Sequence, residues 1–268
     1  MYACRYWGVK RMIPKIIHYC WFGGGKKSAL IKKCIRSWKK HCPDWEIIEW
    51  NEDRFDVSAT IWTQQAYEAK KYAFVSDYVR LKVLREMGGV YLDTDVQLFK
   101  PLDSFLEHRG FIGFENKSSV ATCVIGAEAE HPAVARWIDW YRDRHYLING
   151  KPNAEPNVMF ITDELKAKGL IIDNTRQSID GMEIYPQTWF CPQNIEGDQR
   201  AKSANTVSVH YFDSSWRTPQ GRRDLKREQF HSTKFYRTWE KVKIAPQLAV
   251  RKVFGDQSVE KIKERIRK

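Results

Sequence analysis

Several familiar signatures are missing from this sequence. It has no run of about 18 apolar residues, so it contains no candidate for a membrane-spanning helix. None of its six cysteines forms a Cys-x-x-Cys pair, which excludes the usual zinc-finger spacing. The glycine run at 23–25 fits neither Gly-x-Gly-x-x-Gly nor a Walker loop, and the first residues lack the apolar stretch of a secretory signal. We expect a reduced, cytoplasmic protein; a secreted disulfide-containing protein is the alternative.

Positive charge is concentrated at one end of the chain. The formal net charge is +12, and residues 221–268 hold 15 Lys and Arg against 6 Asp and Glu. The rest of the chain is nearly balanced, which argues against nucleic acid as a partner. We expect a basic helical tail over 221–268 that contacts an anionic membrane, at the inner face of the cell membrane. A solvated basic helix without a partner is an equal alternative.

Hydrophobic periodicity predicts alternating strands and helices. Strands are expected at 13–21, 45–50, 90–92, 110–115, 121–126, 182–185 and 206–211, and helices at 29–41, 59–70, 73–87, 131–145 and 157–168. The β-α-β-α-β order at the start predicts an α/β fold with a Rossmann-like, mostly parallel central sheet flanked by helices. We expect a loose N-terminus over 1–12, one domain over 13–220 and the basic helical extension. Ligands of such sheets bind beyond the carboxyl ends of the strands.

Two carboxylates, Asp93 and Asp95, follow the apolar strand Val90–Leu92. If the backbone stays extended, both side chains point the same way, and like charges at that distance repel. A cation between them would remove the repulsion, and Mg²⁺ or Mn²⁺ binds one or two carboxylates together with substrate phosphates. The pair therefore predicts a metal site. For an isolated Asp-x-Asp, the alternative is a turn or a solvated strand end.

Two further segments carry polar or aromatic candidates. His18 lies in an apolar strand, where a hydrogen-bonded core histidine is the more common outcome, and Trp21 and Phe22 precede the glycines. These rings could stack on a nucleobase or could pack in the core. Asp77 and Arg80 share one face of the predicted helix 73–87, where the alternative is a surface ion pair.

A fourth segment, near the end of the expected domain, ends a short apolar strand at His210. Ser214, Ser215 and Trp216 follow it. By itself this indicates a core histidine and a packed tryptophan. Combined with a metal site, it offers a third metal ligand and an indole N–H donor for an anionic oxygen.

The sequences IPKIIHxxWFGG at 13–24 and SDYVRLxxLxxxGGVYLDTD at 76–95 resemble one family of sugar transferases. These are the DXD-containing glycosyltransferases of the initiating α-mannosyltransferase and capsular polysaccharide transferase type (glycosyltransferase family 32-like). They are distantly related to the clostridial glucosylating toxins. The resemblance implies a GT-A fold, a nucleotide-sugar donor, a divalent metal (Mn²⁺ or Mg²⁺) and retention of anomeric configuration.

The resemblance also implies roles for individual residues. Asp95 should bind the metal directly, and Asp93 should contact the metal and the ribose or sugar. Asp77 and Arg80, with Ser76, should hold the donor sugar and its phosphates. The nucleotide pocket should be lined by His18, Trp21 and Phe22. His210 resembles the later metal ligand, and Ser215 and Trp216 resemble the segment that donates to the β-phosphate.

The expected function is transfer of a hexose from a nucleotide sugar to a glycan or lipid-linked glycan acceptor. The setting that the resemblance implies is synthesis of a surface polysaccharide, such as a capsular polysaccharide or lipopolysaccharide. UDP-hexose is the first expectation for the donor and GDP-mannose the second. The alternative is a catalytically inactive module of the same fold that binds a nucleotide sugar or glycan.

Overall fold

A computed structural model of the chain describes residues 13–153, 155–192 and 202–213. The expectations for the segment 1–12, for Ser215 and Trp216, and for the basic tail lie outside the described residues. The strands are β1 Ile16–Cys20, β2 Glu46–Trp50, β3 Gly89–Leu92, β4 Val96–Leu98, β5 Gly110–Phe114, β6 Val120–Ala127, β7 Leu147–Ile148, β8 Lys151–Pro152, β9 Gln177–Ile179, β10 Met182–Tyr185 and β11 Ser208–His210. The helices are α1 Ala29–His41, α2 Ile61–Glu68, α3 Tyr72–Met87, α4 Pro132–Asp139, α5 Asn157–Ala167 and α6 Gln187–Phe190, with a 3₁₀ turn at Asp103–Phe105.

A seven-stranded mixed sheet organises the described part of the chain, in the order β2-β1-β3-β6-β5-β10-β9. β1 is parallel to both β2 and β3, and β5 is parallel to β10. β6 runs antiparallel to its two neighbours, and β9 runs antiparallel to β10. Most strands therefore share one direction, which confirms the expected mostly parallel sheet flanked by helices. A separate antiparallel pair joins β4 to β11.

Helices cover both faces of this sheet. Along β3, Val90 and Leu92 pack with the side chains of α1, whereas Tyr91 packs on the opposite face with α3. One core layer therefore lies under α1 and the other under α2 to α5. None of the helices in the described ranges is both long and apolar enough to cross a bilayer.

Local sequence explains the ends of the helices that position the site. Ser28 caps α1, accepting a hydrogen bond from the Ile31 backbone N–H at 3.3 Å, as its sequence position predicts. α3 ends at Gly88, whose φ is 67°, and Gly89 follows with φ of 107°. A Cβ at Gly89 would lie 2.8 Å from the Ile16 carbonyl oxygen, so only glycine fits where α3 turns back into β3.

Some elements differ from the predictions. The helix that was expected over 131–145 ends at Asp139. Trp140 and Tyr141 instead lie in a turn, and their rings contact Trp62 edge-on. The apolar spacing of this segment therefore reflects the packing of aromatic rings and does not indicate a helix. The short strands β4, β7, β8 and β9 were not predicted, because runs of two or three residues carry too little periodicity.

Candidate functional site

The two aspartates lie in a tight turn between β3 and β4. The Val96 backbone N–H donates to the Asp93 carbonyl at 2.9 Å, so the backbone over residues 93–95, here named the aspartate turn, is not extended. Even so, ligand atoms of Asp93, Asp95 and His210 all lie within 4.8 Å of one another. Proximity of the carboxylates was predicted from strand alternation, but the turn is what produces it.

Asp93 is held by two donors on the same oxygen. Its Oδ1 accepts from Arg80 Nη2 at 3.1 Å and from the Tyr91 hydroxyl at 3.0 Å. Its backbone N–H donates to the Cys123 carbonyl of β6 at 2.9 Å. The side chain is therefore fixed in orientation before any ligand arrives.

Asp95 is held by the segment that contains β11. His210 Nε2 lies 3.2 Å from Asp95 Oδ1, and the Asp213 backbone N–H donates to Oδ2 at 2.7 Å. Burial by itself raises the pKa of Asp95, but the His210 ring and the Asp213 amide outweigh it and hold the pKa below its usual value. Asp95 is therefore a carboxylate at neutral pH.

Arg80 connects the start of α3 to the aspartate turn. Because α3 reverses at its glycine end, its early residues lie beside the end of β3. The guanidinium is 5% exposed and donates through Nη1 to the Thr122 carbonyl and hydroxyl, both at 2.9 Å. Nη2 contacts Asp93 at 3.1 Å and Asp77 at 3.0 Å, and Nε donates to the Ser76 carbonyl at 3.4 Å. The N–H groups of Arg80 are directed at protein acceptors. This geometry favours a role for Arg80 in orienting Asp93, and it does not favour a role as a direct phosphate ligand.

Asp77 sits beside Arg80 in an environment that favours its neutral form. Burial raises the pKa of Asp77 to about 6; Arg80 opposes this rise and Asp93 adds to it. Burial, followed by the Asp77 carboxylate, also raises the pKa of Tyr141, whose hydroxyl is buried without a hydrogen-bond partner among the described residues. These two groups are candidates to contact sugar hydroxyls.

Glu115 is a site residue that the sequence reasoning missed. It directly follows β5, which runs in the same direction as β3, so both strands end at the same edge of the sheet. Burial raises the pKa of Glu115; His210 opposes this rise and Asp93 contributes to it, which shows that the carboxyl group faces both residues electrostatically. The rule that singled out Asp93, a carboxylate after a predicted strand, would have found Glu115.

His18 and Phe22 do not line a pocket. His18 is 0% exposed; its Nδ1 accepts from Trp50 Nε1 at 3.1 Å, and its Nε2 donates to the Gly88 carbonyl at 2.8 Å. Phe22 is 6% exposed and packs edge-on against Phe55. Apolar burial in β1 and the turn after it takes both side chains inward, and their contact with a nucleotide remains a prediction. His18 instead braces the glycine turn that precedes β3.

Ser76 is also turned toward its own helix. Its hydroxyl donates to the Tyr72 carbonyl at 3.0 Å, one turn earlier in α3. Its backbone carbonyl accepts from Arg80, so its observed role is to help place the guanidinium. A direct contact between Ser76 and a donor remains a prediction.

Trp21 lines an open cleft beside the aspartate turn. The cleft has a volume of about 390 Å³, and we name it the tryptophan cleft; its walls include Trp21, Lys26, Lys27, Lys32, Asn51 and Glu52. Trp21 Nε1 donates to the Gly25 carbonyl at 2.7 Å, and Lys27 Nζ lies 5.3 Å from the ring centroid. Because Trp21 directly follows β1, which pairs in parallel with β3, the cleft and the turn lie at the same edge of the sheet. An aromatic ring among lysines suits a base and phosphates.

Comparisons with known proteins agree with this arrangement. Residues 28–112 match the family model described as glycosyltransferase sugar-binding region containing DXD motif. Inositol phosphoceramide mannosyltransferase 3 of Schizosaccharomyces pombe is 30% identical over 128 residues, which is 45% of this chain and 35% of that protein. The initiation-specific alpha-1,6-mannosyltransferase of Candida albicans is 27% identical over 49% of this chain and 36% of its own length.

The chain thus spans about a third of the length of these two curated relatives. Among solved structures, the PaToxG glycosyltransferase is similar with a TM-score of 0.45 and 22% identity, covering 59% of this chain and 70% of that one. The matched region contains the aspartate turn, Asp77 and Arg80. Residues 28–112 are therefore similar to the glycosyltransferase family described by this DXD-containing sugar-binding region.

Proposed function

We propose that this protein transfers a hexose from a nucleotide sugar to a glycan acceptor, using a divalent metal ion held at the aspartate turn. One observation carries the proposal. Asp93, Asp95 and His210 bring their ligand atoms within 4.8 Å of one another at the edge of the sheet where ligands of such folds bind. The surrounding sequence matches the family model described as a glycosyltransferase sugar-binding region, which supports the proposal.

The donor set fits a hard divalent ion. Two carboxylates suit Mn²⁺ and Mg²⁺, and the imidazole of His210 favours Mn²⁺ over Mg²⁺. When bound, such an ion neutralises the diphosphate leaving group of the donor. Asp93, already fixed by Arg80 and Tyr91, and Asp95, held by the Asp213 amide, would receive the ion without rearranging.

The other residues of the site bind the base, the sugar and the phosphates of the donor. The tryptophan cleft takes the nucleotide, with its base on Trp21. Asp77, whose pKa is raised to about 6 mainly by burial, accepts or donates a hydrogen bond at a hydroxyl of the donor sugar. Ser215 and Trp216 lie outside the described residues, and our proposal for them remains contact with the β-phosphate. Glu115 is the carboxylate that can face the sugar from the β5 side.

Two arguments bear on the identity of the donor, and they favour different nucleotide sugars. The resemblance first favoured UDP-hexose over GDP-mannose. The two relatives described above are named mannosyltransferases, which favours a mannosyl donor. Retention of anomeric configuration is proposed for either donor.

The acceptor and its location are also proposals. The first relative is named after inositol phosphoceramide, which is a lipid. This name supports the proposal of a lipid-linked glycan acceptor for the present protein. The excess of Lys and Arg over 221–268 supports contact with anionic lipid and a role in surface polysaccharide synthesis. Deleting this tail should weaken binding to anionic liposomes in low salt; unchanged binding would remove the membrane part of the proposal.

A donor-hydrolysis panel tests the enzymatic proposal. The purified protein is incubated with UDP-glucose, UDP-galactose or GDP-mannose, in Mn²⁺, in Mg²⁺ and in excess EDTA, and the released sugar is followed by NMR. We expect one donor to be hydrolysed, with an initially retained anomer, only when metal is present. Asp95→Asn should abolish this, whereas Asp163→Asn, a matched change at an exposed aspartate of α5, should not.

Two results would count against the proposal. Equal turnover in EDTA would exclude a metal-dependent reaction. Thermal stabilisation by a nucleotide sugar without turnover of any donor, with or without an oligosaccharide acceptor, would instead identify an inactive binding module.

A further inference from the structure

A second cluster of potential metal ligands shares His210 but uses different partners. Donor atoms of Cys123, Cys191 and His210 lie within 4.8 Å of one another. The three residues come from β6, from the residue after α6 and from the end of β11. Cys123 and Cys191 are 3% and 0% exposed, so both thiols lie inside the apolar layer under α1.

The two nitrogens of the His210 ring have different surroundings. Nε2 lies 3.2 Å from Asp95 Oδ1. Nδ1 is buried and has no hydrogen-bond partner among the described residues. The Cys123 thiol interacts with the same ring, so a thiol that could share an ion with it already lies close by. A histidine that binds a metal through one nitrogen commonly donates the other N–H to a carboxylate, which is the relation of His210 to Asp95.

We propose that Cys123, Cys191 and Nδ1 of His210 bind a thiophilic divalent ion such as Zn²⁺. Both thiols release their protons to solvent on binding, forming two metal–sulfur bonds. One doubly charged ion, two thiolates and a neutral imidazole sum to zero charge, which suits the apolar surroundings. Zinc lies about 2.3 Å from sulfur and about 2.0 Å from nitrogen, so the donor atoms must move inward by roughly 1 Å or less.

The chemistry separates this site from the aspartate turn. Thiolates select soft or borderline ions, whereas paired carboxylates select Mn²⁺ and Mg²⁺. With Nδ1 bound to an ion, the neutral His210 ring carries its proton on Nε2 and donates it to Asp95. The ring then cannot bind a second ion through Nε2. While the thiolate site is filled, the ion at the aspartate turn is therefore held by Asp93 and Asp95 alone, and His210 is its third ligand only when the thiolate site is empty. The thiolate site does not depend on glycosyl transfer and is tested without an activity assay.

Titration of the reduced full-length protein with Co²⁺ is the test. We expect one Co²⁺ to bind with a near-ultraviolet sulfur-to-cobalt charge-transfer band, and Zn²⁺ to displace it. Cys123→Ser and Cys191→Ser should each reduce the band and weaken Co²⁺ binding roughly tenfold or more. Cys34→Ser, a matched change at another fully buried cysteine, should leave the band unchanged.

The proposal is overturned if wild-type protein shows no thiolate band. It is equally overturned if the band survives in the Cys123→Ser, Cys191→Ser double variant. Should the serine variants fail to fold, X-ray absorption of the Zn²⁺-loaded wild type decides the question. Two sulfur neighbours at about 2.3 Å support the site, and a shell of only nitrogen and oxygen contradicts it.

Discussion

The aspartate turn and the tryptophan cleft lie at the same edge of the sheet but are built differently. In the turn, each carboxylate has protein partners, and Arg80, which serves Asp93 and Asp77, is 5% exposed. In the cleft, Trp21, Lys26 and Lys27 lie on a glycine-rich loop near the surface, and Lys27 pairs with Glu49 at 2.8 Å.

This difference indicates that the two regions have different roles. A buried network fixes the groups proposed to hold metal and phosphate, because small displacements there are costly. An exposed loop can adjust to a nucleotide, since loops change conformation at less cost than packed elements. Changes that break the buried network should therefore affect stability as well as chemistry, whereas changes in the cleft should affect binding alone.

Removing Arg80 should have the largest effect. Arg80→Gln leaves the partly buried Asp77 and Asp93 beside each other without a cation. We expect the free energy of unfolding to fall by about 3 kcal/mol, measured by urea denaturation. Arg142→Gln is the matched control, because that guanidinium is 70% exposed in an ion pair with Asp139. It should change stability by less than about 1 kcal/mol. Equal effects of the two changes would mean that Arg80 does not anchor the turn.

Replacing Asp95 tests the chemistry of the turn separately from its stability. Asp95→Asn keeps an acceptor for the Asp213 amide but weakens metal binding, and metal stabilisation of charge is worth several kcal/mol. We expect sugar transfer to fall about a thousand-fold, with a melting temperature close to that of the wild type. Transfer within about tenfold of the wild type would show that Asp95 does not serve the reaction.

The pH dependence of stability tests the role of His18 as a brace. Burial lowers the pKa of His18 from 6.5 to about 4, so the folded state requires the neutral ring. The contribution of the neutral His18 ring to the free energy of unfolding is complete above pH 6.5 and is lost as the pH falls toward 4. The loss amounts to about 2 kcal/mol between pH 7 and pH 5. Urea denaturation of wild type and His18→Gln at both pH values should show this loss in the wild type only; parallel slopes would contradict it.

Shortening Trp21 should have the smallest effect, confined to binding. Trp21→Ala removes the proposed base-stacking surface, and stacking on an aromatic side chain is worth about 1–3 kcal/mol. We expect KM for the donor to rise about tenfold while kcat and melting temperature stay unchanged, and Trp21→Phe to retain most of the affinity. An unchanged KM would separate the tryptophan cleft from the nucleotide.

The sequence predicted what local pattern determines. Helix α1 with its Ser28 cap, the glycine stop before β3 and the placement of the aspartates beyond that strand are all properties of neighbouring residues. Long-range pairing was harder to predict. The bond between the Asp213 amide and Asp95 spans 118 positions, and it depends on an antiparallel pair too short to recognise.

Burial was the other source of error. The resemblance placed His18 in the nucleotide pocket, whereas its apolar strand indicated a core histidine, and its two ring nitrogens are satisfied inside the core. Cys123 and Cys191 lie 68 positions apart in the sequence, and only the fold, which packs α6 against β5 and β11, brings their thiols together. No spacing rule connects such residues before the fold is known.

Mn²⁺ binding to the full-length protein, followed by electron paramagnetic resonance of free Mn²⁺, tests the central claim most directly. The account predicts one bound ion whose affinity rises when UDP or GDP is added, and loss of that ion in the Asp93→Asn, Asp95→Asn double variant. Binding of equal strength in the double variant, or no binding with either nucleotide, would contradict it.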